Sequence, residues 1–347
     1  MTQLLKDRIP KNAKILLIKL RSIGDVVYNT SVYGPLKQCF PDSELTVLVE
    51  PASYDLVRSH PAVDVALCFR KGSFLEQARF YFNLFAHRYD VAIDMHEGTR
   101  GAVMCFVSQA RYRVGHRFAK RSFLYNETLQ FEDLAPRFPI EYQAALVNKM
   151  GVAIDAPRPE IHLDDSVESA ARERLRALGI ADDEDFCIVH CGTRKVYDQW
   201  QYKKFAELCQ EFHSQLGVKA VLTCGPGEEA QARQVLDHAQ GTPFFVAGLQ
   251  ELGWISRRAR FAVCHNGGYM HFASALGTPV IALFGVVNPR IWKPLGERDI
   301  VLYKEIECSP CNSKTRKPEC YDGDAECKRN IETEDVLNAA RRILSPA

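Results

Sequence analysis

The 347-residue sequence lacks any apolar run near the roughly 20 residues that a membrane-spanning helix needs. It also lacks an excess of charge, since 44 lysines and arginines stand against 43 aspartates and glutamates. The resulting net charge of +1 excludes a global field that would attract nucleic acid. The first residues contain no apolar core of a signal peptide. These absences predict a cytoplasmic location and no nucleic-acid partner, and they leave a peripheral membrane contact open.

The chain does have the length and the 46% apolar content that two globular domains require. In both halves, short β-rich runs alternate with helical patterns, which is typical of parallel sheets covered on both faces. The pattern stops at residues 155–160, Asp-Ala-Pro-Arg-Pro-Glu, which resemble a linker. The sequence therefore predicts an α/β protein with two doubly wound parallel-sheet domains, 1–160 and 161–347, facing a central cleft. The sequence leaves open whether the last helix of the chain packs back on the first domain.

The most informative stretch is 260–286, which reads as strand, glycine loop, short helix, tight turn and strand. Its Asn266-Gly267-Gly268 corner would present free backbone N–H groups at a helix N-terminus, which suits a diphosphate. We therefore expect the second domain to bind a nucleotide.

A second candidate is Asp25, which follows the buried strand pattern Ala13–Leu20 and stands at the start of a helix. A carboxylate there can accept a proton from an incoming hydroxyl group. An ordinary helix cap explains the same position. The loop lacks a complete G-x-G-x-x-G pattern, so it is not a dinucleotide fingerprint.

Two loops of the second half contain further candidates for binding a nucleotide. Thr193, Arg194 and Lys195 could clamp a diphosphate, unless their loop is only a solvated turn. Glu228 or Glu229 could bind ribose hydroxyls, and a solvent-facing helix start is the alternative.

Twelve cysteines are present, of which eight are scattered in apolar patterns and are expected to be reduced packing residues. The other four, Cys308, Cys311, Cys320 and Cys327, have the spacing C-x2-C-x8-C-x6-C. This spacing could hold zinc, and a reduced or partly disulfide-linked loop is the alternative.

Each of the remaining polar candidates can be explained by a structural role as well as by a binding role. The basic stretch Arg111–Arg121 is either a solvated face or a patch for acceptor phosphates. His271 could bind a ligand, cap its helix or pack, and His190 is expected to face the core.

Taken together, these pieces resemble the ADP-heptose–lipopolysaccharide heptosyltransferases, glycosyltransferase family 9. The resemblance covers most of the chain. It rests on Lys19–Val27, on His60-Pro61-Ala62-Val63-Asp64, on Asn266–Gly285 and on the Cys308–Cys311 loop.

The resemblance implies a GT-B architecture and transfer of heptose from ADP-heptose with inversion at the anomeric carbon. It implies Asp25 as general base, with the acceptor held by the first domain and the nucleotide sugar by the second. It further implies a lipid-linked core acceptor at the inner face of the cytoplasmic membrane. We expect a monomer and no required cofactor; a divalent cation is compatible but not implied. The predicted donor site is Thr193, Arg194, Lys195, Glu228, Asn266, Gly267, Gly268, Tyr269 and His271; the predicted acceptor site is Arg21, Ser22, Gly24, Arg100, Arg117 and Lys120.

The sequence departs from the family pattern in two loops. Asn266 stands where the family usually has aspartate, and Asp198 and Gln199 stand where a lysine is often found before Trp200. Three alternatives therefore stay open: transfer of another nucleotide sugar, a catalytically silent nucleotide-sugar-binding homologue, and a sugar-nucleotide epimerase of the same fold.

Overall fold

The computed structural model describes residues 4–130, 138–311 and 317–345. The chain divides into two compact units, Met1–His162 and Leu163–Ala347. Each unit is built on a six-stranded parallel sheet, so the predicted α/β class of two doubly wound domains is confirmed. Within the described residues, no helix combines the length and the apolar character that spanning a bilayer demands.

In the first unit the strands lie in the order β3-β2-β1-β4-β5-β6. The central strand β1 is buried from Ile15 to Ile18, as its run of aliphatic residues predicts for a strand covered on both faces. Helix α1 packs against α6, and α4 packs against α5. The elements are β1 (Lys14–Ile18), α1 (Ile23–Asn29), α2 (Tyr33–Cys39), β2 (Glu44–Val49), α3 (Tyr54–Arg58), β3 (Val65–Cys68), α4 (Phe74–His87), β4 (Val91–Asp94), α5 (Thr99–Val107), β5 (Tyr112–His116), β6 (Glu127–Leu129) and α6 (Pro139–Asn148).

In the second unit the order is β12-β11-β10-β7-β8-β9, the same arrangement for six strands in chain order. Its core includes Trp200, Phe205 and Phe212, all fully buried. The last helix, α14, packs against α8, β11 and β12 of its own unit. The elements are α7 (Glu168–Ala177), β7 (Phe186–His190), α8 (Tyr202–Leu216), β8 (Lys219–Thr223), α9 (Glu229–Leu236), β9 (Phe244–Phe245), α10 (Leu249–Arg258), β10 (Ala262–His265), α11 (Gly268–Ala275), β11 (Val280–Leu283), α12 (Pro289–Trp292), β12 (Ile300–Leu302), α13 (Glu326–Arg329) and α14 (Thr333–Leu344).

Three strands, β5, β6 and β12, were not predicted from the sequence. Strand β5 lies inside the basic stretch Arg111–Arg121, where Arg113 stands between the buried Tyr112 and Val114 and Arg111 precedes the strand. The stretch is therefore partly a sheet strand and not simply a solvated face. The predicted loop 192–200 also contains a short 3-10 turn, Val196–Asp198.

The strand order fixes where a ligand can bind in each unit. Strand β1 lies between β2 and β4, and β7 lies between β8 and β10. At such a switch of direction, the loops beyond the carboxyl ends of the two central strands separate and form a crevice. The segments after β1 and β4, and after β7 and β10, are thus the places to look for chemistry.

Candidate functional site

Asp25 lies in the first turn of α1, just beyond the carboxyl end of β1. Its Oδ2 accepts two hydrogen bonds from Ser22, from the backbone N–H at 3.0 Å and from the hydroxyl at 2.8 Å. Its Oδ1 lies 3.4 Å from Nζ of Lys19, and 27% of its side chain is exposed. Arg21 is exposed beside this cap, whereas Gly24 is buried within the helix. The carboxylate is therefore a helix cap that still has accessible surface, so a cap and a base role are compatible.

The ionisation of Asp25 depends on a buried lysine. Lys19 is almost fully buried, and its ammonium group donates to the carbonyl of Met95 at 2.8 Å. Burial opposes ionisation of Asp25, but Lys19 and the two Ser22 hydrogen bonds outweigh it. The pKa of Asp25 therefore lies below its ordinary value of 3.8, and the carboxylate is ionised at neutral pH.

Strand β4 ends in a second carboxylate, Asp94, which is completely buried. Its Oδ1 accepts the backbone N–H groups of His96 at 2.8 Å and Glu97 at 3.3 Å, and its Oδ2 accepts the Tyr125 hydroxyl at 2.6 Å. Burial raises the pKa of Asp94 to about 6. A Cβ atom at Gly101 would lie 2.3 Å from Oδ1, so only glycine fits the first turn of α5 at this point.

Further titratable groups surround Lys19 at the same edge of the sheet. Burial raises the pKa of Glu97, and burial together with Lys19 lowers the pKa values of His96 and His116 to about 4. Both histidines are therefore neutral near pH 7, and Nε2 of His116 lies 3.5 Å from Glu97. The sequence analysis missed this cluster; its signal was that His96 and Glu97 lie just beyond the end of β4 and His116 ends the neighbouring strand β5.

The other predicted acceptor residues have different surroundings. Arg100 donates to Glu50 at 2.9 Å and lies 5.3 Å from the ring centre of Phe69, so it is held in an ion pair. Arg117 and Lys120 are exposed after β5, two strands away from β1 in the sheet. Ser22 therefore contacts Asp25 directly, whereas Arg100 contacts Glu50 and Phe69.

The His60–Asp64 stretch contacts the last residues of the first unit. Nε2 of His60 lies 3.7 Å from Glu160, whose carboxylate also contacts Nε2 of His162 at 2.7 Å. These three side chains have the composition of a metal site. However, Nδ1 of His60 accepts the N–H of Ala62 at 3.2 Å, so the proton of neutral His60 must be on Nε2. That tautomer points an N–H at Glu160 and disfavours a metal there.

In the second unit, buried His265 ties together the two ends of the loop that follows β7. Its Nε2 accepts the backbone N–H of Trp200 at 2.8 Å, so its Nδ1 donates to the carbonyl of Gly192 at 3.2 Å. Burial lowers its pKa well below the ordinary value of 6.5, which keeps the ring neutral as both bonds require.

The predicted diphosphate residues lie within this loop. The Gln231 side chain bonds both backbone groups of Thr193, at 2.9 and 2.8 Å, and the Thr193 hydroxyl accepts the N–H of Lys195 at 3.3 Å. Arg194 and Lys195 are exposed, and the Lys195 ammonium lies 5.7 Å from the ring centre of Tyr197. The backbone is thus fixed while two cations stay accessible.

Glu228 lies at the ends of β7 and β8. Its Oε2 accepts the N–H of Gly225 at 2.9 Å, and a Cβ atom at Gly192 would lie only 1.9 Å from it. A side chain at position 192 would therefore displace this carboxylate. The contact brings Glu228 next to the Thr193 loop, and its ribose-binding role stays a prediction.

The Asn266–Gly268 corner joins β10 to α11, with Gly267 as the N-cap. The first N–H groups of a helix have no intrahelical acceptor, so this corner presents donors at the carboxyl edge of the sheet. The Tyr269 side chain is different, because it is buried, stacks on His190 at 4.5 Å and bonds Ser256 at 3.0 Å. The backbone of Tyr269 lies in the first turn of α11, so its predicted place in the donor-binding loop would involve the backbone. His271 is likewise buried.

A buried lysine stands beneath the corner and was missed by the sequence analysis. Lys328 of α13 is 1% exposed and donates to Oδ1 of Asn266 at 3.1 Å and to the carbonyl of Leu283 at 2.6 Å. Burial lowers the pKa of Lys328 to about 8, and the charge of buried Asp198 partly offsets this. The two residues that depart from the family pattern, Asn266 and Asp198, are therefore neighbours of one cation.

The four clustered cysteines line one cavity of about 180 Å³, together with Val286. Cys320 and Cys327 are buried, and Cys308 and Cys311 are partly exposed. Among the described residues, no three of these sulfur atoms lie all within 4.8 Å of one another. The thiols are gathered at one place but are not in coordination geometry.

The chain is similar to one protein family in its sequence and to heptosyltransferases in its fold. The family model "glycosyltransferase family 9 (heptosyltransferase)" matches residues 78–322. Lipopolysaccharide heptosyltransferase 3 of Escherichia coli (strain K12) is 22% identical over 345 residues, covering 94% of this chain and 96% of the relative. The structure of E. coli ADP-heptose lps heptosyltransferase II has a TM-score of 0.80 at 18% identity, covering 95% of this chain and 98% of its own. E. coli heptosyltransferase WaaC with ADP has a TM-score of 0.71 at 18% identity, covering 95% and 99%.

Proposed function

Because the chain belongs to glycosyltransferase family 9, the heptosyltransferases, we propose that it transfers heptose from ADP-heptose to an inner-core acceptor of lipopolysaccharide. The observation that carries this proposal is the Asn266–Gly268 corner, a helix N-terminus at the switch point of the second sheet. Such a corner suits the diphosphate of a nucleotide sugar. A lipid-linked acceptor would bring the protein to the inner face of the cytoplasmic membrane.

The donor-binding residues follow from the same geometry. The first-turn N–H groups of α11, the Thr193 hydroxyl and the exposed Arg194 and Lys195 would contact the diphosphate. Their positive charge would stabilise the negative charge that develops on departing ADP. Glu228 would accept hydrogen bonds from the ribose hydroxyls.

Asp25 would act as the general base. The acceptor hydroxyl transfers its proton to the ionised carboxylate while its oxygen bonds to the anomeric carbon of heptose. The bond from that carbon to the ADP phosphate oxygen breaks in the same displacement, so the configuration inverts and ADP leaves. One carboxylate is enough for this reaction, since no covalent intermediate forms. Arg21, Ser22, Gly24, Arg100, Arg117 and Lys120 are the candidates for holding the acceptor.

A nucleotide panel tests the donor assignment. ADP and ADP-heptose at 100 times their Kd should raise the free energy of unfolding by about 2.7 kcal/mol, measured as a rise in Tm. UDP and GDP should have no effect at the same concentration. Glu228→Gln should reduce the ADP-induced rise, and its neighbour Glu229→Gln, a matched control, should leave it unchanged.

The panel also separates the alternatives. Stabilisation by UDP or GDP sugars instead of ADP-heptose would indicate another donor. Binding of ADP-heptose without ADP release in the presence of a core acceptor would indicate a silent homologue. Neither result is compatible with heptose transfer from ADP-heptose.

We also propose that Cys308, Cys311, Cys320 and Cys327 hold a structural zinc or iron ion. Four thiols around one cavity offer the sulfur ligands that these metals prefer, and the carboxylates of Glu319, Asp324 and Glu326 line the same cavity. The ion would draw the sulfurs together and deprotonate them, against the burial that raises the pKa values of Cys320 and Cys327. The proposed transfer reaction needs no step at this ion.

Elemental analysis tests the cysteine proposal. Protein purified under reducing conditions should contain about one zinc or iron ion per chain. Cys311→Ser should lose the metal and lower Tm, whereas Cys39→Ser, in the first unit, should change neither. A metal-free wild-type protein, or metal retained after Cys308→Ser and Cys311→Ser together, would refute the proposal.

A further inference from the structure

Helix α4 of the first unit has two apolar faces, but its own unit covers only one of them. On the inner face, Leu84 is buried and Phe80 packs on Phe69 with ring centres 5.0 Å apart. On the outer face, four large apolar side chains are exposed to solvent: Phe74 at 84%, Leu75 at 78%, Phe82 at 67% and Phe85 at 45%. At 3.6 residues per turn these four lie within an arc of about 100°. They form a continuous apolar stripe.

Elements that pack next to α4 contribute further exposed aromatic side chains. Helix α4 packs against α5, and α5 packs against the 3-10 turn Ser122–Leu124. These two elements add Phe106, 47% exposed, and Phe123, 78% exposed. We call the stripe together with Phe106 and Phe123 the aromatic face. Single exposed apolar residues are common, but a set of this size on adjoining elements is typical of a binding surface.

The charge around the aromatic face differs sharply from that of the whole chain, whose net charge is +1. Residues 70–88 contain four lysines and arginines and a single carboxylate, Glu76. Residues 98–126 contain six lysines and arginines and no aspartate or glutamate. The two segments together have ten cations and one carboxylate. The partner of this surface is therefore expected to be anionic.

Most of these cations are accessible. Arg100 is paired with Glu50, and Arg113 donates to the carbonyls of Leu124 and Ala110. The other cations are exposed and have no ion pair within residues 4–130, 138–311 and 317–345: Arg70, Lys71, Arg79, Arg88, Arg111, Arg117, Lys120 and Arg121. The lone carboxylate, Glu76, is occupied by the backbone and hydroxyl of Ser73, each at 2.7 Å.

We propose that the aromatic face and its surrounding cations bind the surface of an anionic phospholipid bilayer. Phenylalanine and leucine on one side of a helix, flanked by arginine and lysine, are the composition of helices that lie in a membrane interface. The apolar side chains enter the boundary of the acyl chains, while the cations meet lipid phosphates. The choice of a lipid surface rests on the proposed lipid-linked acceptor, but binding to vesicles can be measured without any activity.

Vesicle sedimentation tests this inference with the full-length protein. The protein should sediment with vesicles of phosphatidylcholine and phosphatidylglycerol at 7:3, and at least about tenfold less with phosphatidylcholine alone. Salt at 0.5 M should weaken binding to the anionic vesicles. The triple variant Phe74→Gln, Leu75→Gln and Phe82→Gln should lose at least about tenfold in partitioning, because it removes most of the stripe. Glutamine keeps the helix propensity of these positions high.

A matched control comes from the second unit. Ile291→Gln with Leu295→Gln removes two exposed apolar side chains that are outside the aromatic face and should leave vesicle binding unchanged. Transfer to a water-soluble acceptor should be equal in wild type and triple variant, and only transfer to a vesicle-embedded acceptor should fall. If vesicles bind but no sugar is transferred, the proposed function fails and this inference stands.

Three outcomes would overturn the inference. The first is wild-type protein that does not sediment with anionic vesicles. The second is a triple variant that is folded by circular dichroism and binds as wild type does. The third is a dimer in sedimentation velocity that the triple variant converts to monomers without any change in vesicle binding, which would assign the face to a second copy of the chain.

Discussion

Replacing Asp25 with asparagine is expected to lower kcat for heptose transfer by roughly 10²–10⁴-fold, the usual contribution of a general base. Asparagine has the same volume and its amide oxygen can still accept one hydrogen bond from Ser22, so the helix start should persist. It cannot take the proton of the acceptor hydroxyl. ADP release measured at saturating donor and acceptor reports kcat, and KM for ADP-heptose should change little because Asp25 is assigned to the acceptor.

Asp335 provides a control for the capping role of Asp25. It is also an aspartate in the first turn of a helix, it accepts the N–H of its N-cap, Glu332, at 2.9 Å, and it pairs with Lys304 at 2.8 Å. Its side chain is 29% exposed, close to the 27% of Asp25. Asp335→Asn therefore removes a comparable N-cap hydrogen bond and lysine pair at a residue to which no role in transfer is assigned. If both variants reduce kcat equally, Asp25 is only a cap.

The lowered pKa of Asp25 also fixes the pH dependence. The carboxylate stays ionised above the ordinary aspartate value of 3.8, so its protonation should not slow transfer between pH 8 and pH 5. Its contribution to stability is likewise present above 3.8 and is lost as the pH falls through the lower pKa of the folded state. A loss of activity near pH 6 that disappears in the Asp25→Asn variant would contradict the lowered pKa of Asp25.

Lys328→Met is expected to reduce the free energy of unfolding of the second unit by about 3–5 kcal/mol, measured by denaturant titration. Methionine fits the space but makes no hydrogen bond to Asn266 or Leu283, and it leaves the buried Asp198 without its nearby cation. Because the lost contact holds the donor corner, KM for ADP-heptose should rise more than kcat falls. If Lys328 had only a structural role, the variant would lower Tm, and KM for ADP-heptose would not rise more than kcat falls.

Two further variants test whether the stability lost in Lys328→Met comes from breaking the interaction of two buried charges. Lys304→Met breaks the partly exposed pair with Asp335 and should cost less than about 1 kcal/mol. The double variant Asp198→Asn with Lys328→Met removes both buried charges and should recover much of the stability lost in the single variant. A double variant as unstable as the sum of the single ones would show that Asp198 and Lys328 are not coupled.

Much of the fold could be predicted because its signals are local. The aliphatic run of β1, the amphipathic pattern of α8 and the strand–glycine–helix sequence at 260–286 each depend on neighbouring residues. Strand β5 was missed because Arg111 and Arg113 flank its first apolar residue, Tyr112. The sequence of α4 reads as that of a packed helix, and only the structure shows that its second apolar face is uncovered.

The candidate site was predictable only in part for a similar reason. Asp25 was proposed because it stands at a helix start that follows a strand, and Asn266 because it directly follows one. Lys19 was not recognised as the residue that sets the pKa of Asp25, and Lys328 is 62 residues away from its partner Asn266. Contacts of this range form when the sheet brings strand ends together, and no local pattern encodes them.

The hydrogen bonds of His265 have a consequence for how the donor loop can vary. They hold Gly192 and Trp200, the two ends of the loop, close together. The entropic cost of closing the loop is therefore offset by these bonds, and residues within the loop need not contribute to it. Within residues 193–199, Thr193 is held by Gln231, Tyr197 packs against the cysteine cluster and Asp198 is buried, so the exposed positions Arg194, Lys195 and Val196 are the ones free to vary. If the proposed donor role of this loop is correct, substitutions at these three positions are expected to change which nucleotide sugar is accepted, while the strands that support the loop keep their packing.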